Sequence, residues 1–259
     1  MTTTIERRIG RPPARRAVTV TQYGRGGIVL IWAAAAVPMA VLSWVVAPAV
    51  ADGSGVESMV TPLLACLTAG LVWQFVLAVG LVAHEQRSLR WSRLRQAMWL
   101  RSPRSPATGR AGGRAWLVVV PLVVAFALMQ LAGLPAPSGR DLGGFLDTDA
   151  GRAFFDGAWG VYALFLVMSV FNTVLGEELL FRGVLLPRMQ GAFGDRDWLA
   201  NGVLFGLYHL HVPWSIPNAL LDGPMIAYFT KRYRSTWIGV AVHSTQTVVL
   251  GLLVLAVVA

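Results

Sequence analysis

Long apolar runs separated by short polar segments make up most of the chain. A helix that crosses the hydrocarbon core of a bilayer needs about 20 mostly apolar residues, since about 1.5 Å of rise per residue must cover about 30 Å. Seven stretches meet or approach that length: 28–50, 59–83, 116–134, 159–186, 198–212, 216–230 and 236–259. The fifth and sixth are short and lie among Pro213, Pro217 and Pro224, where kinked or broken helices are expected. The pattern predicts an all-α fold, a polytopic transmembrane helical bundle of about seven spans with no sheet.

The segments between the runs alternate in charge. Arg7, Arg8, Arg11, Arg15, Arg16 and Arg25 precede the first run, and Asp52 and Glu57 follow it with no basic residue. Eight arginines occupy 84–115, whereas Asp141, Asp147, Asp149 and Asp156 outnumber Arg140 and Arg152 in 135–157. Arg188 and Arg196, then Lys231, Arg232 and Arg234, restore positive charge. Basic loops remain on the cytoplasmic side. The alternation therefore predicts a multi-pass cell-membrane protein with a cytoplasmic N-terminus and an external C-terminus. Its expected divisions are a basic tail at 1–27, three spans within 28–134 with a cytoplasmic basic loop at 84–115, an external loop at 135–157, and a core at 158–259. The tail is too polar, and the run after it too long, for a secretory leader. Within the basic loop, Trp91, Leu94 and Met98 share one helical stripe among arginines, as in a helix lying on anionic lipid. A solvated basic loop is the alternative reading.

Composition narrows the function classes. Hydrophobic residues reach 55% and charged residues only 14%, which excludes a disordered chain. Cys66 is the single cysteine, so there is no disulfide scaffold. The net charge of +9 does not indicate nucleic acid, because 14 of the 22 basic residues lie in the two blocks 7–25 and 87–114 beside apolar runs.

Ionisable groups inside the hydrocarbon cost roughly 2.5–3.5 kcal/mol each on insertion scales and mark function by default. The first three runs have none at mid-depth; the last four hold Glu177, Glu178, Arg182, His209, His211, Asp222 and His243. Arg182 follows Glu178 by four residues, a spacing that pairs them on one helical face. Glu177 then projects elsewhere. Counting about 1.5 Å per residue from the inner ends, Glu177 and His209 lie about 15 Å deep and His243 about 13 Å deep. Three helices thus bring a carboxylate and two imidazoles to nearly one depth. Thr247 shares the face of His243, with Gln246 beside it. His211 is expected near the outer surface, and His84 at the membrane interface. Asp222, before Gly223-Pro224, either caps a helix at a break or lines a cavity.

This set suits hydrolysis. Glu177 can take a proton from water, while the histidines orient that water and steady an oxyanion. Two histidines and one glutamate also match the ligands of some catalytic zinc sites. Ser169 and Ser244 lack the Gly-x-Ser-x-Gly turn of a serine hydrolase.

Glu177-Glu178-x-x-x-Arg182, Phe205-x-x-x-His209, and His243 after Trp237-Ile238 resemble, in order and spacing, the motifs of the CPBP family. This family comprises type II CAAX prenyl endopeptidases and Abi-like proteins of bacteriocin processing and immunity. The likeness covers about 159–250. It implies an α-helical intramembrane endopeptidase acting on membrane-associated proteins or peptides, with its site open to the cytoplasm. It also implies Glu177 as the water-activating residue, His209 and His243 completing the site, and Glu178 and Arg182 as the rest of the first motif. The cofactor it implies is zinc or another divalent metal held by Glu177, His209 and His243, or none in a metal-free glutamate mechanism. One position departs: the family's third motif has asparagine four residues after its histidine, and here Thr247 stands there. A threonine hydroxyl is shorter and lacks an amide's second group; Gln246 is a nearby substitute. The departure leaves room for a non-catalytic role on the same scaffold, as in bacteriocin self-immunity or as a regulatory partner. A small transporter or proton relay is a third reading, disfavoured by the lack of internal repeats.

Overall fold

The computed structural model describes residues 18, 20–53, 55–132 and 134–259. Arg7, Arg8, Arg11, Arg15 and Arg16 of the expected tail lie outside the described residues. Among the described residues the protein is helical and has no strand, only an isolated bridge between Arg104 and Ala111. The principal helices are α1 (Arg25–Ala49), α2 (Val56–Gln86), α3 (Trp91–Ala97), α4 (Gly113–Met129), α5 (Trp159–Arg188), α6 (Asp197–Tyr208), α7 (Ile216–Tyr233) and α8 (Thr236–Val258). Four of them, α1, α2, α5 and α8, are long and apolar enough to cross a membrane. With the shorter α4, α6 and α7 they correspond one for one to the seven apolar runs. The fold is an all-α polytopic bundle.

The core forms where the inner faces of α1, α2 and α5 meet α3 and α6. Ile28 and Met39, Leu71 and Val82, Leu180 and Phe181, and Phe205 and Tyr208 are buried there. Outward-facing positions stay apolar, with Leu30 71%, Leu128 63% and Leu252 62% exposed, as expected of surfaces that meet lipid.

The helix ends sort into two faces. On one, Arg188 pairs with Glu85, and the backbone N–H of Tyr23 donates to the Arg188 carbonyl. There too Lys231 pairs with Asp197 at 2.5 Å, and the Thr236 N–H donates to the Trp99 carbonyl. This face gathers the basic segments near 84–104, 187–197 and 231–236. On the other face the Leu134 N–H donates to the Trp214 carbonyl, the Gly157 N–H to the Val258 carbonyl, and Arg140 to Ser43.

Of the two short runs expected to be kinked or broken, one is. The fifth run is α-helical only to Tyr208 and ends in tight turns at His209–His211 and Pro213–Ser215. The sixth is not broken: Pro217 sits in the first turn of α7, where no donor is needed, and the helix runs through Pro224 to Tyr233. Glycine opposite makes the proline tolerable, since a Cβ on Gly202 of α6 would collide with the backbone of Pro224. The arginine-rich stripe also divides. Leu94 and Met98 are buried in the core, whereas Trp91 is 61% exposed, so α3 docks on the bundle rather than lying free on lipid.

Candidate active site

The site is built on an irregular stretch of α5. Phe171–Gly176 and Leu179–Leu185 are wound as π-helix on either side of Glu177 and Glu178. Such turns hydrogen-bond i to i+5 and are frequent at functional sites. The widened winding presents neighbouring carboxylates to different partners, and both are buried, Glu177 at 1% and Glu178 at 0% exposure.

Glu178 faces the back of the site. Arg182 Nη1 lies 3.6 Å from Glu178 Oε1, the ion pair expected from the four-residue spacing. The Arg182 guanidinium stacks 3.9 Å from the Phe205 ring centroid, and its Nη2 donates to the Gly223 carbonyl at 3.3 Å. His243 Nδ1 is 3.2 Å from Glu178 Oε1. A carboxylate only accepts, so the Nδ1 of His243 carries the proton and donates. Gly239 makes this packing possible, because a Cβ there would collide with Glu178 Oε2.

Glu177 faces the front. Asn172, with its amide nitrogen turned to the carboxylate, donates to Oε1 at 2.9 Å and Oε2 at 3.2 Å. The Tyr208 hydroxyl lies beside Glu177, and itself accepts from Gln74 Nε2 at 2.6 Å. His243 Nε2 is 3.9 Å from Glu177 Oε2. His209 Nδ1 lies 2.9 Å from the Phe205 carbonyl. A carbonyl also only accepts, so Nδ1 of His209 is protonated and its Nε2 is left as an acceptor in the neutral ring.

Glu177, His209 and His243 line one cavity of about 290 Å³, together with Asn172, Asp222 and Gln246. The structure therefore brings the three principal sequence candidates together, with Glu178 and Arg182 behind them. Thr247 is placed differently. Its hydroxyl is 3.5 Å from that of Thr173, which also accepts from Ser244, and it does not line the cavity. Gln246 does. His211 corrects the expectation of an outer-surface position: it is buried, lines the cavity and stacks on His209 with ring centroids 5.6 Å apart. The tight turn after Tyr208 folds it back inward. Asp222 resolves as a cavity-lining residue within an unbroken helix, not a cap. His84 is exposed near the end of α2.

The cavity extends from Glu177 and His243 to Val212, Trp214 and Ser215, toward the face opposite the basic loops. The resemblance implies the reverse, a site open on the basic side. Fully buried Leu180, Phe181, Arg182 and Tyr208 fill the bundle on that side of Glu177.

Among the described residues, no three His, Cys, Asp or Glu side chains are disposed to hold a metal ion. His209 and His243 each commit Nδ1 to a protein acceptor, and Glu177 commits both oxygens to Asn172. These Nδ1 contacts leave both Nε2 atoms free, as in metal-ligating histidines, so it is the spacing of the side chains and not their hydrogen bonds that fails to form a metal site in this arrangement.

Asn172, Tyr208, Gln74, Gln130 and Asn218 were not apparent from charge alone. Their signal in the sequence is weaker: uncharged amides and a phenol inside or at the ends of apolar runs, where each needs a partner.

Residues 158–249 match the model of the family described as type II CAAX prenyl endopeptidase Rce1-like. No curated protein and no solved structure matches the chain. The matched segment holds the whole Glu177–His209–His243 constellation, so the similarity to the type II CAAX prenyl endopeptidase Rce1-like model falls on the part of the chain that builds the cavity.

Proposed function

We propose that the protein is an intramembrane endopeptidase that hydrolyses peptide bonds of membrane-associated proteins or peptides with water activated by Glu177. The observation that carries this reading is the convergence of Glu177, His209 and His243 on one cavity inside the bundle. Asn172 and Tyr208 hold the Glu177 carboxylate in place, as a general base requires. Water hydrogen-bonds to Glu177 and to the His209 Nε2 acceptor. Glu177 takes one proton as the water oxygen attacks the scissile carbonyl carbon, and the tetrahedral oxyanion forms. Glu177 then returns that proton to the leaving amine as the C–N bond breaks. Donors for the oxyanion come from Gln246, whose amide replaces the missing asparagine, and from His243 Nε2 when that ring is protonated. Glu178 stabilises the positive charge on His243 in that state, as a carboxylate does for a catalytic imidazole.

Cleavage of membrane peptide pools in nanodiscs, read as new termini by mass spectrometry, tests the reading. Wild-type protein should cleave and Glu177→Gln should not. A wild type that yields no new termini overturns it.

A second reading rests on Thr247. Its hydroxyl turns to Thr173 and not to the cavity, which suits a non-catalytic membrane protein on the same scaffold, in immunity or regulation. A cellular phenotype that survives Glu177→Gln would support it.

A further inference from the structure

The wall of the cavity opposite Glu177 carries a second polar group that hydrolysis does not use. Asn218 and Asp222 sit one turn apart on α7, and both line the cavity, 8% and 4% exposed. The side chain of Gln130, just past the end of α4, links them. Its Nε2 donates to Asp222 Oδ2 at 2.8 Å, and its Oε1 accepts from Asn218 Nδ2 at 2.7 Å. One amide thereby fixes the orientation of both neighbours, and what it leaves over is acceptors. Asn218 Oδ1 is buried with no hydrogen-bond partner, and Asp222 Oδ1 has none among the described residues. A buried carboxylate whose partner is a neutral amide is costly unless a positive charge completes it. No lysine or arginine among the described residues lines the cavity; Arg182 behind it is paired with Glu178, and His243, the imidazole that shares the cavity with Asp222, is within ion-pair distance of Glu178 and Glu177 and makes no hydrogen bond to Asp222 among the described residues. A group that donates hydrogen bonds and carries positive charge complements both free acceptors.

We propose that Asp222, Asn218 and Gln130 form a substrate subsite for a basic side chain of the bound peptide. The subsite deepens the hydrolase reading and rests on it for the identity of the ligand as a peptide. A lysine ammonium satisfies the free oxygens of Asp222 and Asn218 together. Glu177 lies across the same cavity, so a peptide anchored here runs past the activated water. The specificity is for charge at one position, and a neutral side chain of equal length leaves the same acceptors unpaired.

Binding separates this subsite from catalysis. The Glu177→Gln protein in nanodiscs is titrated with fluorescein-labelled apolar dodecapeptides, each with a single lysine or, at the same position, norleucine, scanned along the peptide. At one position lysine should bind at least about tenfold more tightly than norleucine. Adding Asp222→Asn should reduce the lysine peptide to the norleucine level and leave norleucine binding unchanged. Equal binding of the two peptides at every position, or a lysine preference that survives Asp222→Asn, overturns the subsite. Should Asp222→Asn fail to fold, Asn218→Asp adds a second carboxylate to the same wall and should strengthen the lysine preference; an unchanged preference is equally fatal. Cleavage by wild type without a lysine preference rejects the subsite alone. A lysine preference without cleavage rejects the hydrolase reading alone.

Discussion

Single side chains decide whether the cavity can do chemistry. Glu177 is held by Asn172 and Tyr208, so its removal should abolish a reaction while leaving the protein folded. Glu177→Gln is expected to lower kcat by about 10²–10⁴-fold, the usual contribution of a general base, with an unchanged melting temperature in detergent. Gln246 and Thr247 make a sharper comparison, because they are adjacent in sequence and only Gln246 lines the cavity. Gln246→Leu should lower kcat about 10²–10³-fold through loss of an oxyanion donor. Thr247→Val should leave kcat near wild type, since its hydroxyl meets Thr173. A reversed order in peptide-cleavage kinetics would move the donor role back to Thr247. The glutamates and histidines were legible because charge inside an apolar run is rare. Asn172 was not, because a lone amide at that position has the same appearance whether it meets Glu177 or a helix carbonyl.

Helices set the spacing of these groups through close contacts. The Glu178–Arg182 pair on α5 is wholly buried. Arg182→Met leaves buried Glu178 with His243 as its one remaining charged neighbour and should destabilise the fold by about 3–5 kcal/mol in equilibrium unfolding, more than Arg182→Met combined with Glu178→Leu. The α6–α7 hairpin depends on glycine where backbone meets backbone. Gly202→Val forces α6 away from Pro224 and should cost about 1–3 kcal/mol by overpacking, with a matching fall in melting temperature. The apolar runs and the i to i+4 spacing of Glu178 and Arg182 predicted these elements. The π-wound turns of α5 did not emerge from them, since regular periodicity assumes i to i+4 hydrogen bonds throughout.

At the scale of the whole molecule, the loops fall into two faces, and the cavity extends toward the less basic one. With the basic face on the cytoplasmic side, single cysteines at Arg87 and Arg232 should label with a membrane-impermeant thiol reagent only after the cytoplasmic side is opened. Cysteines at Asp147 and Ser215 should label in intact cells. Cys66 is the single native cysteine and is buried, so Cys66→Ala gives a clean background. Labelling of all four positions from the same side would refute the arrangement.

Sequence alone determined that the chain is an all-helical membrane bundle, because the length and apolarity of its runs leave the backbone no other way to satisfy its hydrogen bonds in lipid. It also determined that charged chemistry is confined to the last four runs. Only the tertiary structure decided that His211 and Asp222 face inward, that Thr247 turns away, and that Gln130 joins Asn218 to Asp222. Those outcomes depend on how separate helices rotate and pack against one another, and a side chain's neighbours on another helix leave no trace in its own local pattern.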